Sequence, residues 1–513
     1  MAVSRTKRTI QNSKVSLILF VIQIIVGFYS RKVFLEYLGD EVIGLNTTLG
    51  NILSFLNLSE LGIGMAMATS LYKPIHDNDQ ETIIDILTVQ GILYKRIAWL
   101  LCGMSIPILI AMPYIFPSTE CSIVYAYVAY LVFLSGSIFS YLRNYRQILI
   151  QADQKNFKLM PWIHGVRYSK IFLQIALLML TPLGIWGWIG AELAGGIVTV
   201  FAINHVIRKE YPWLHPSKES AKELLPRYKS LMTKVKQLFA HKIGTFVLHQ
   251  TSPLIIYAFV SLETVTYSGN YMMLIGYCMT LMNVIFGGIS ASIGNLIADN
   301  NKRHTMEVFW ELFTSRVWIA GIACFGIYIF VGPFISLWLG SRYVFDESTL
   351  LLLILYMFIQ ISRTVIESFK DAYQLFADVW SPIAESCLNL GCSILFGYLW
   401  GLNGVLIGVN LSLIIIILLW KPYYTFRHGL KSPVLLYYMQ YAFHTGVLIT
   451  GAIVSKWVMV QFNYEYSDLI SLALVLLLGM TVFILTTYTI LMLSTKGMRM
   501  FTIRIKNILS RNI

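Results

Sequence analysis

Long apolar runs alternate with short polar segments along almost the whole chain. About 20 helical residues span the hydrocarbon core of a bilayer, because each residue advances a helix by about 1.5 Å. Windows of that length predict an all-α polytopic membrane protein with about fourteen transmembrane helices. The predicted spans lie near residues 15–37, 43–71, 92–115, 122–147, 160–181, 184–206, 243–262, 266–297, 314–338, 348–370, 382–399, 402–420, 437–459 and 467–493.

The composition favours the same fold class. Hydrophobic residues make up 57% of the 513 residues and charged residues only 13%, whereas about 25% of a typical soluble domain is charged. The longest polar stretch, from His205 to Lys242, is too short to form a separate domain. The first apolar run, Val15 to Tyr29, is too long for a signal peptide and lacks a small-residue cleavage site, so we expect it to be retained.

The net charge of +13 comes from basic residues in short segments between the spans. These residues form no recognised nucleic-acid-binding module, so we expect membrane lipids and not nucleic acid as their partners. Lys and Arg are concentrated in alternate segments, above all in residues 205–242 and in the C-terminal tail. This asymmetry predicts an even number of spans with both termini in the cytoplasm.

Two halves of the sequence are similar at an offset of about 220 residues. Pro182-Leu-Gly-Ile-Trp-Gly-Trp-Ile-Gly190 is similar to Trp400-Gly-Leu-Asn-Gly-Val-Leu-Ile-Gly408, and Ala152-Asp153 recurs as Ala377-Asp378. Six predicted spans separate the copies, so both should have the same orientation in the membrane. Chance similarity among apolar segments is the alternative. The repeat predicts two pseudo-symmetric six-helix lobes, residues 1–230 and 231–430, followed by two helices and a basic tail in residues 431–513.

Several short motifs occur in a characteristic order. They are Leu38-Gly-Asp-Glu-Val-Ile-Gly-Leu-Asn46, Leu53-Ser-Phe-Leu-Asn-Leu-Ser-Glu-Leu-Gly-Ile-Gly64, Leu71-Tyr-Lys-Pro74, Ala152-Asp-Gln-Lys155, Phe369-Lys-Asp-Ala372 and Trp380-Ser-Pro-Ile-Ala-Glu-Ser-Cys-Leu-Asn389. Together they resemble bacterial polysaccharide flippases of the O-antigen, or Wzx, type. That group belongs to the superfamily that includes MATE multidrug exporters and the lipid II flippase. The resemblance covers the first twelve predicted spans.

This resemblance implies a MATE-like fold and alternating access of two lobes around a cationic cavity. The implied function is a flippase, not an enzyme, that moves an undecaprenyl-pyrophosphate-linked oligosaccharide from the cytoplasmic to the outer leaflet of the bacterial inner membrane. The implied partners are this lipid-linked oligosaccharide, the polysaccharide polymerase and the chain-length machinery, and no cofactor is expected. Many relatives carry an acidic residue in the seventh span, whereas this chain has His249-Gln-Thr-Ser-Pro253.

Four arginines within the predicted spans are candidates for binding an anionic cargo, because a charge in a span is costly unless it faces a cavity or a partner. They are Arg31, Arg143, Arg146 and Arg363. Anchoring at the membrane surface is the alternative for the first three. Arg363 stands four residues before Glu367, so an ion pair within one helix is also predicted there.

Three acidic residues in otherwise apolar helices are candidates for proton or cation coupling. They are Glu60, Glu192 and Glu385. A role as ion-pair or packing partners stays open for each of them. No cysteine pair or His-Glu motif with metal-ligand spacing occurs, so we expect no metal site.

Two other functions remain as alternatives. A multidrug or small-cation exporter of the same superfamily often has an acidic ion site in its first helix, but Val15 to Ser30 contains no Asp or Glu. A membrane glycosyltransferase or polymerase needs a catalytic acid or base, usually with a long outer loop. Asp77-Asn-Asp79 matches a metal-binding Asp-x-Asp, but nothing around it resembles a nucleotide-sugar domain.

Overall fold

The structure is a computed structural model that describes residues 5–56, 63–117, 121–215, 217, 221–229, 235, 250–286, 293–294, 296–297, 301–373, 375, 377–378, 380–461 and 469–511. The described residues form helices and connecting turns, with no strand among them. The chain divides into two compact units, Met1–Thr266 and Tyr267–Ile513, called the first and the second unit below.

The described part of the first unit contains ten helices before α11 begins. Helix α5 is followed by a 3₁₀ turn at Asn144–Arg146 before α6 begins. In chain order the helices are α1 (Arg5–Leu38), α2 (Asp40–Leu56), α3 (Ile63–Asp77), α4 (Gln80–Ile115), α5 (Ile123–Arg143), α6 (Gln147–Ala152), α7 (Asn156–Leu180), α8 (Gly184–Glu210), α9 (Ala221–Arg227) and α10 (Ser252–Phe259).

Helix α11 (Leu262–Phe286) begins at the end of the first unit and continues into the second. Two π-helical segments, Ile414–Trp420 and Phe426–Leu430, flank α16. The remaining helices are α12 (Lys302–Trp338), α13 (Glu347–Ser362), α14 (Thr364–Ala372), α15 (Trp380–Leu413), α16 (Lys421–Thr425), α17 (Leu435–Gln461), α18 (Leu469–Ser494) and α19 (Lys496–Arg511).

The described residues include ten stretches that are long and apolar enough to cross a membrane. One of them, Trp380–Leu430, has 51 residues and contains two predicted spans, because Trp400 and Gly401 depart from helical geometry. Large apolar side chains on these helices face outward, and Phe201 is 71% exposed. The chain is therefore a multi-pass all-α membrane protein, as predicted. The total of about fourteen spans stays a prediction, since parts of several spans, among them residues 243–249 of the seventh, lie outside the described residues.

Capped N-termini extend two helices beyond their predicted spans. Helices α4 and α12 begin about twelve residues earlier than the apolar pattern predicts, at positions where a side chain accepts a backbone hydrogen bond. Asp79 accepts from the amide of Thr82 at 3.0 Å, and Asn301 accepts from the amide of His304 at 3.1 Å. Hydropathy windows miss such extensions because the added turns are partly polar.

The two halves of the predicted repeat turn in the same way. Gly184, at the start of α8, and Gly401, in the break of α15, both have positive φ, at 50° and 58°. Only glycine adopts this left-handed conformation routinely. Three residues after each, Gly187 and Gly404 lie in close contact with the preceding helix. The similar glycine motifs thus correspond to similar helix-to-helix turns.

We predict that Gly404→Ala will destabilise the second unit strongly. A Cβ at this position would lie 1.8 Å from the backbone oxygen of Phe396, which cannot move without shifting the helix. Overpacking of a core typically costs about 1–3 kcal/mol, and a clash with backbone lies at or above the upper end. Gly391→Ala is the matched control in the same helix, because its added Cβ meets no atom within 4 Å. Similar apparent melting temperatures for the two purified variants would contradict this packing.

Asp346 caps α13 through hydrogen bonds from the amide and hydroxyl of Thr349, at 3.1 and 2.6 Å. The hydroxyls of Ser348 and Thr349 lower the pKa of Asp346 to about 2. In the unfolded chain the Asp carboxyl has a pKa of about 3.9. The cap should therefore stabilise the fold fully at pH values above about 3.9. This contribution should be lost as the pH falls towards about 2.

We predict that Asp346→Ala will cost about 1 kcal/mol at neutral pH, while Asp346→Asn will cost less because asparagine also caps helices. Thermal unfolding of the purified protein between neutral and acidic pH would test this. A difference between wild type and Asp346→Ala that does not shrink on acidification would rule out the carboxylate cap.

Candidate functional site

A groove in the first unit combines arginine side chains with an apolar wall. Its volume is about 660 Å³, within the usual size range of small-molecule sites. We call it the Arg143 groove. It is lined by Phe139 and Arg143 of α5 and by Ile197, Val200, Phe201, Asn204, His205 and Arg208 of α8.

Helical periodicity places these residues in the groove. The six residues of α8 recur at steps of three or four, so they lie along one face of the helix. The face changes from apolar at Ile197 and Phe201 to polar and basic at His205 and Arg208. On α5 the apolar Phe139 and the basic Arg143 are four residues apart, so this wall also changes from apolar to basic. Both walls therefore run from an apolar end to a cationic end.

The two arginines of the groove are exposed, and neither forms a hydrogen bond or an ion pair with another residue in the described part of the chain. The other candidate arginines of this unit are engaged. Arg146 donates to the hydroxyl of Tyr145 at 3.3 Å and lies over its ring, and Arg31 donates to the backbone oxygen of Thr266 at 3.0 Å. Arg143 and Arg208 thus keep their donors for a ligand.

Arg363 lies at the junction of α13 and α14 in the second unit, where the backbone stays helical and the Arg363 amide donates to the oxygen of Ile359 at 3.0 Å. Its Nε lies 3.5 Å from the carboxylate of Glu367, so the predicted ion pair is present. Glu367 is shared with Lys421, whose Nζ lies at 3.0 Å. Arg143 likewise lies where α5 gives way to a 3₁₀ turn, about 220 residues earlier. The two arginines therefore occupy corresponding positions in the two halves of the predicted repeat, each between two consecutive helices.

The repeated Ala-Asp pairs form corresponding ion pairs. Asp153 lies 2.7 Å from Nζ of Lys155 and accepts from the hydroxyl of Tyr211 at 2.8 Å. Asp378, only 4% exposed, lies 2.6 Å from Nζ of Lys370. Each aspartate follows the end of a short helix and pairs with a lysine nearby in the sequence. These ion pairs therefore stabilise the C-terminal ends of α6 and α14.

The three acidic candidates have different surroundings. Glu192 accepts from Lys170 at 2.6 Å and from Gln174 at 3.0 Å, and so joins α8 to α7. Glu385 is buried and forms no hydrogen bond or ion pair at direct contact distance with any described residue. Lys421 and Arg363 act on it electrostatically from a greater distance. Glu60 lies outside the described residues.

The Asp-x-Asp match is a helix-capping turn. Asp79 caps α4, Asp77 pairs with His76 at 3.0 Å, and Asn78 has a φ of 56°. The hydroxyl of Thr82 lowers the pKa of Asp79. Among the described residues, no group of three His, Cys, Asp or Glu side chains could hold a metal ion.

Two basic residues of these sites were not singled out from the sequence. Arg208 lies within residues 205–242, the basic segment after the sixth predicted span, but it belongs to the last turn of α8. Its position eleven residues after Ile197 on one helical face was the available signal. Lys421 follows a long apolar run, and nothing local to it indicates that Glu367, 54 residues earlier, is its partner.

Comparison with solved structures identifies the architecture. The structure is similar to the lipid II flippase MurJ in its inward closed conformation, with a TM-score of 0.64 and 16% identity over 92% of this chain and 99% of that chain. It is also similar to an inward-facing multidrug resistance transporter of the MATE family, in the MOP superfamily, with a TM-score of 0.57 and 15% identity over 82% and 99%. The chain shares the fold of these two proteins.

A third similar structure is that of a MOP superfamily transporter from Pyrococcus furiosus, whose binding pocket is described as having reverse polarity. Its TM-score is 0.52, at 14% identity over 83% of this chain and 97% of that one. No protein-family model matches the sequence, and no curated protein matches it significantly. The predicted all-α, MATE-like fold is thus confirmed.

Proposed function

We propose that this chain is a flippase that moves an undecaprenyl-pyrophosphate-linked oligosaccharide from the cytoplasmic to the outer leaflet of a bacterial inner membrane. The observation that carries the proposal is the Arg143 groove, in which two arginines without described partners adjoin an apolar wall. A lipid-linked diphosphate has the complementary chemistry, because it joins a strongly anionic headgroup to a long apolar chain. The O-antigen type of cargo rests on the sequence motifs.

Arginine suits this task better than lysine. Its guanidinium forms paired hydrogen bonds to phosphate oxygens and keeps its charge in surroundings of low polarity. Translocation requires binding and release but no covalent step, so no catalytic group is needed. We propose that Arg31, Arg143, Arg146 and Arg363 contact the diphosphate during transport by alternating access.

The break after α5 supports such a movement. Discontinuous helices often carry binding residues in transporters, because their ends can reorient as the protein changes conformation. Arg143 lies at this break, where α5 gives way to a 3₁₀ turn. A diphosphate bound at Arg143 would be sensitive to the conformation of the first unit. Binding energy could thereby shift the conformational equilibrium.

Glu385 is the acid that we propose for proton coupling. Glu192 is held in an ion pair with Lys170. Glu385, by contrast, is buried without a direct partner in the described part of the chain. A buried carboxyl can exchange its proton as its surroundings change during a transport cycle. Transport driven by a proton gradient would therefore depend on Glu385 and not on Glu192.

The multidrug exporter is less well supported. Such a protein binds a cationic drug and so needs uncompensated acidic groups in its cavity. In the described spans, Glu192 and Glu367 each pair with lysine, and Glu385, the acid without a direct partner, is the one proposed for proton coupling, whereas Arg143 has no acidic partner. This balance of charge favours an anionic cargo.

Complementation tests the proposed function. A bacterial strain that lacks its own polysaccharide flippase should regain surface polysaccharide when it produces this chain, provided that the strain makes a compatible lipid-linked oligosaccharide. The amount of surface polysaccharide should rise, and the amount of lipid-linked intermediate on the inner leaflet should fall. A well-expressed chain that never reduces this intermediate across several donor strains, yet confers drug resistance, would support the exporter instead.

Membrane topology is a separate prediction. Reporter fusions after Lys242 and after Ile513 should both report a cytoplasmic location, because the most basic segments face inward. A fusion in the short segment between α7 and α8, at Thr181, should report the periplasm. A periplasmic result at Lys242 or Ile513 would contradict the proposed orientation.

A further inference from the structure

We propose that the Arg143 groove is a docking site for an isoprenoid diphosphate, with the diphosphate at Arg143 and Arg208 and the first isoprene units against Phe139 and Phe201. This inference rests on the proposed function and assigns one place on the chain where the cargo binds. Neither Arg208 nor the two phenylalanines was among the candidates from the sequence.

The two walls of the groove supply both halves of the ligand. Along α8 the lining face extends from Ile197 to Arg208, a rise of about 16 Å at 1.5 Å per residue. That length accommodates a diphosphate group followed by a few isoprene units. Phe201, 71% exposed, and Phe139, 37% exposed, place apolar surface where the chain would lie. A soluble phosphate would make no use of this wall.

Charge selects the headgroup. Two guanidinium groups line one end of the same cavity, and no carboxylate is among its lining residues. Each arginine can form two parallel hydrogen bonds to phosphate oxygens. A diphosphate offers oxygens on two phosphorus atoms and therefore suits a pair of arginines better than one. His205 and Asn204 line the same stretch of α8 as further polar groups.

General attraction of basic residues to anionic lipid is the competing explanation, since Lys and Arg are common at cytoplasmic helix ends. The chain offers a matched control for it. Lys209 follows Arg208 on α8 and is also exposed, but it does not line the groove. General attraction should depend on both residues equally. A specific diphosphate site should depend on Arg208 far more than on Lys209.

Binding to the purified full-length protein in detergent would test the proposal, with farnesyl diphosphate as the probe and inorganic pyrophosphate as the headgroup alone. We expect farnesyl diphosphate to bind at least tenfold more tightly than pyrophosphate. Arg143→Gln and Arg208→Gln should each weaken its binding by roughly tenfold or more, whereas Lys209→Gln should change it less than twofold. Phe201→Ala should weaken the binding of farnesyl diphosphate at least threefold and leave the binding of pyrophosphate unchanged.

Several outcomes would overturn the site. Equal affinity for pyrophosphate and farnesyl diphosphate would indicate a phosphate site without a lipid component. Equal losses in Arg208→Gln and Lys209→Gln, or equally tight competition by phosphatidic acid, would indicate general attraction to anionic lipid. Arg208→Lys, which keeps the charge, should retain part of the binding and show that a loss in Arg208→Gln does not reflect misfolding.

The docking site and the proposed flippase function can be tested separately. An Arg208→Gln variant that loses farnesyl diphosphate binding should also complement a flippase-deficient strain poorly. Full complementation by that variant would overturn the docking site and leave the flippase function standing. Specific binding by a chain that never complements would support the docking site and remove the flippase function.

Discussion

Replacement of Arg143 or Arg363 by alanine should reduce lipid translocation by roughly tenfold to a hundredfold. A hydrogen bond to a charged group contributes about 1.5–3 kcal/mol, and each 1.4 kcal/mol changes an equilibrium constant about tenfold. Arg143 has no partner among the described residues that its removal would leave unpaired. After loss of Arg363, Glu367 still lies 3.0 Å from Lys421. Both variants should therefore fold.

Lysine at either position should restore part of the activity, because the charge survives while the paired hydrogen bonds do not. Complementation of a flippase-deficient strain, normalised to the amount of protein in the membrane, would measure the effect. Lys209→Ala is the matched control near the Arg143 groove and should retain nearly full activity. Normal complementation by both alanine variants would show that these arginines do not bind the cargo.

The largest effect on stability is expected for Asp378→Ala. Asp378 is 4% exposed and lies 2.6 Å from Nζ of Lys370, whose side chain is 13% exposed. Removing one partner of a buried ion pair typically costs about 3–5 kcal/mol, because the other charge stays buried without compensation. The adjacent Ser381, which donates to the same carboxylate at 3.0 Å, would also lose its acceptor.

Asp371→Ala provides the comparison for this variant. Asp371 is exposed and belongs to the same Phe369-Lys-Asp-Ala372 motif, but it forms no ion pair at direct contact distance with a described residue. Its replacement should lower the apparent melting temperature only slightly, whereas Asp378→Ala should lower it strongly and reduce the yield. The double variant Asp378→Ala/Lys370→Met should recover much of the loss, because no buried charge then remains unpaired. Equal effects of the two single variants would contradict the buried pair.

The sequence predicted the fold well because each span has a local signal. An apolar run of about 20 residues is sufficient to indicate a transmembrane helix, and a repeated glycine motif marks the turns at Gly184 and Gly401. The Arg363–Glu367 ion pair was predictable for the same reason, since both residues lie on one helical face. Partners that come together only in the folded chain were not predictable. Lys170 and Glu192 belong to different helices.

The C-terminal segment is a second feature that the sequence pattern predicted incompletely. Residues 496–511 were predicted only as a basic tail, but they form helix α19. An amphipathic helix at a membrane surface contains no long apolar run, so a span-length window does not detect it. Arg504 of this helix lies 2.5 Å from the carboxylate of Glu311 on α12. Arg208 was likewise missed because a window of hydropathy ends before the last turn of α8.

Reconstitution into proteoliposomes tests the central claim most directly. The purified chain would be inserted into vesicles that contain a fluorescent undecaprenyl diphosphate oligosaccharide, and a membrane-impermeant quencher would report how much of it is in the outer leaflet. We expect the wild-type chain to accelerate transfer between leaflets at least tenfold over protein-free vesicles, and the Arg143→Ala/Arg363→Ala variant to show little acceleration. A wild-type rate equal to that of protein-free vesicles, in preparations where the protein is folded and correctly inserted, would contradict the flippase function.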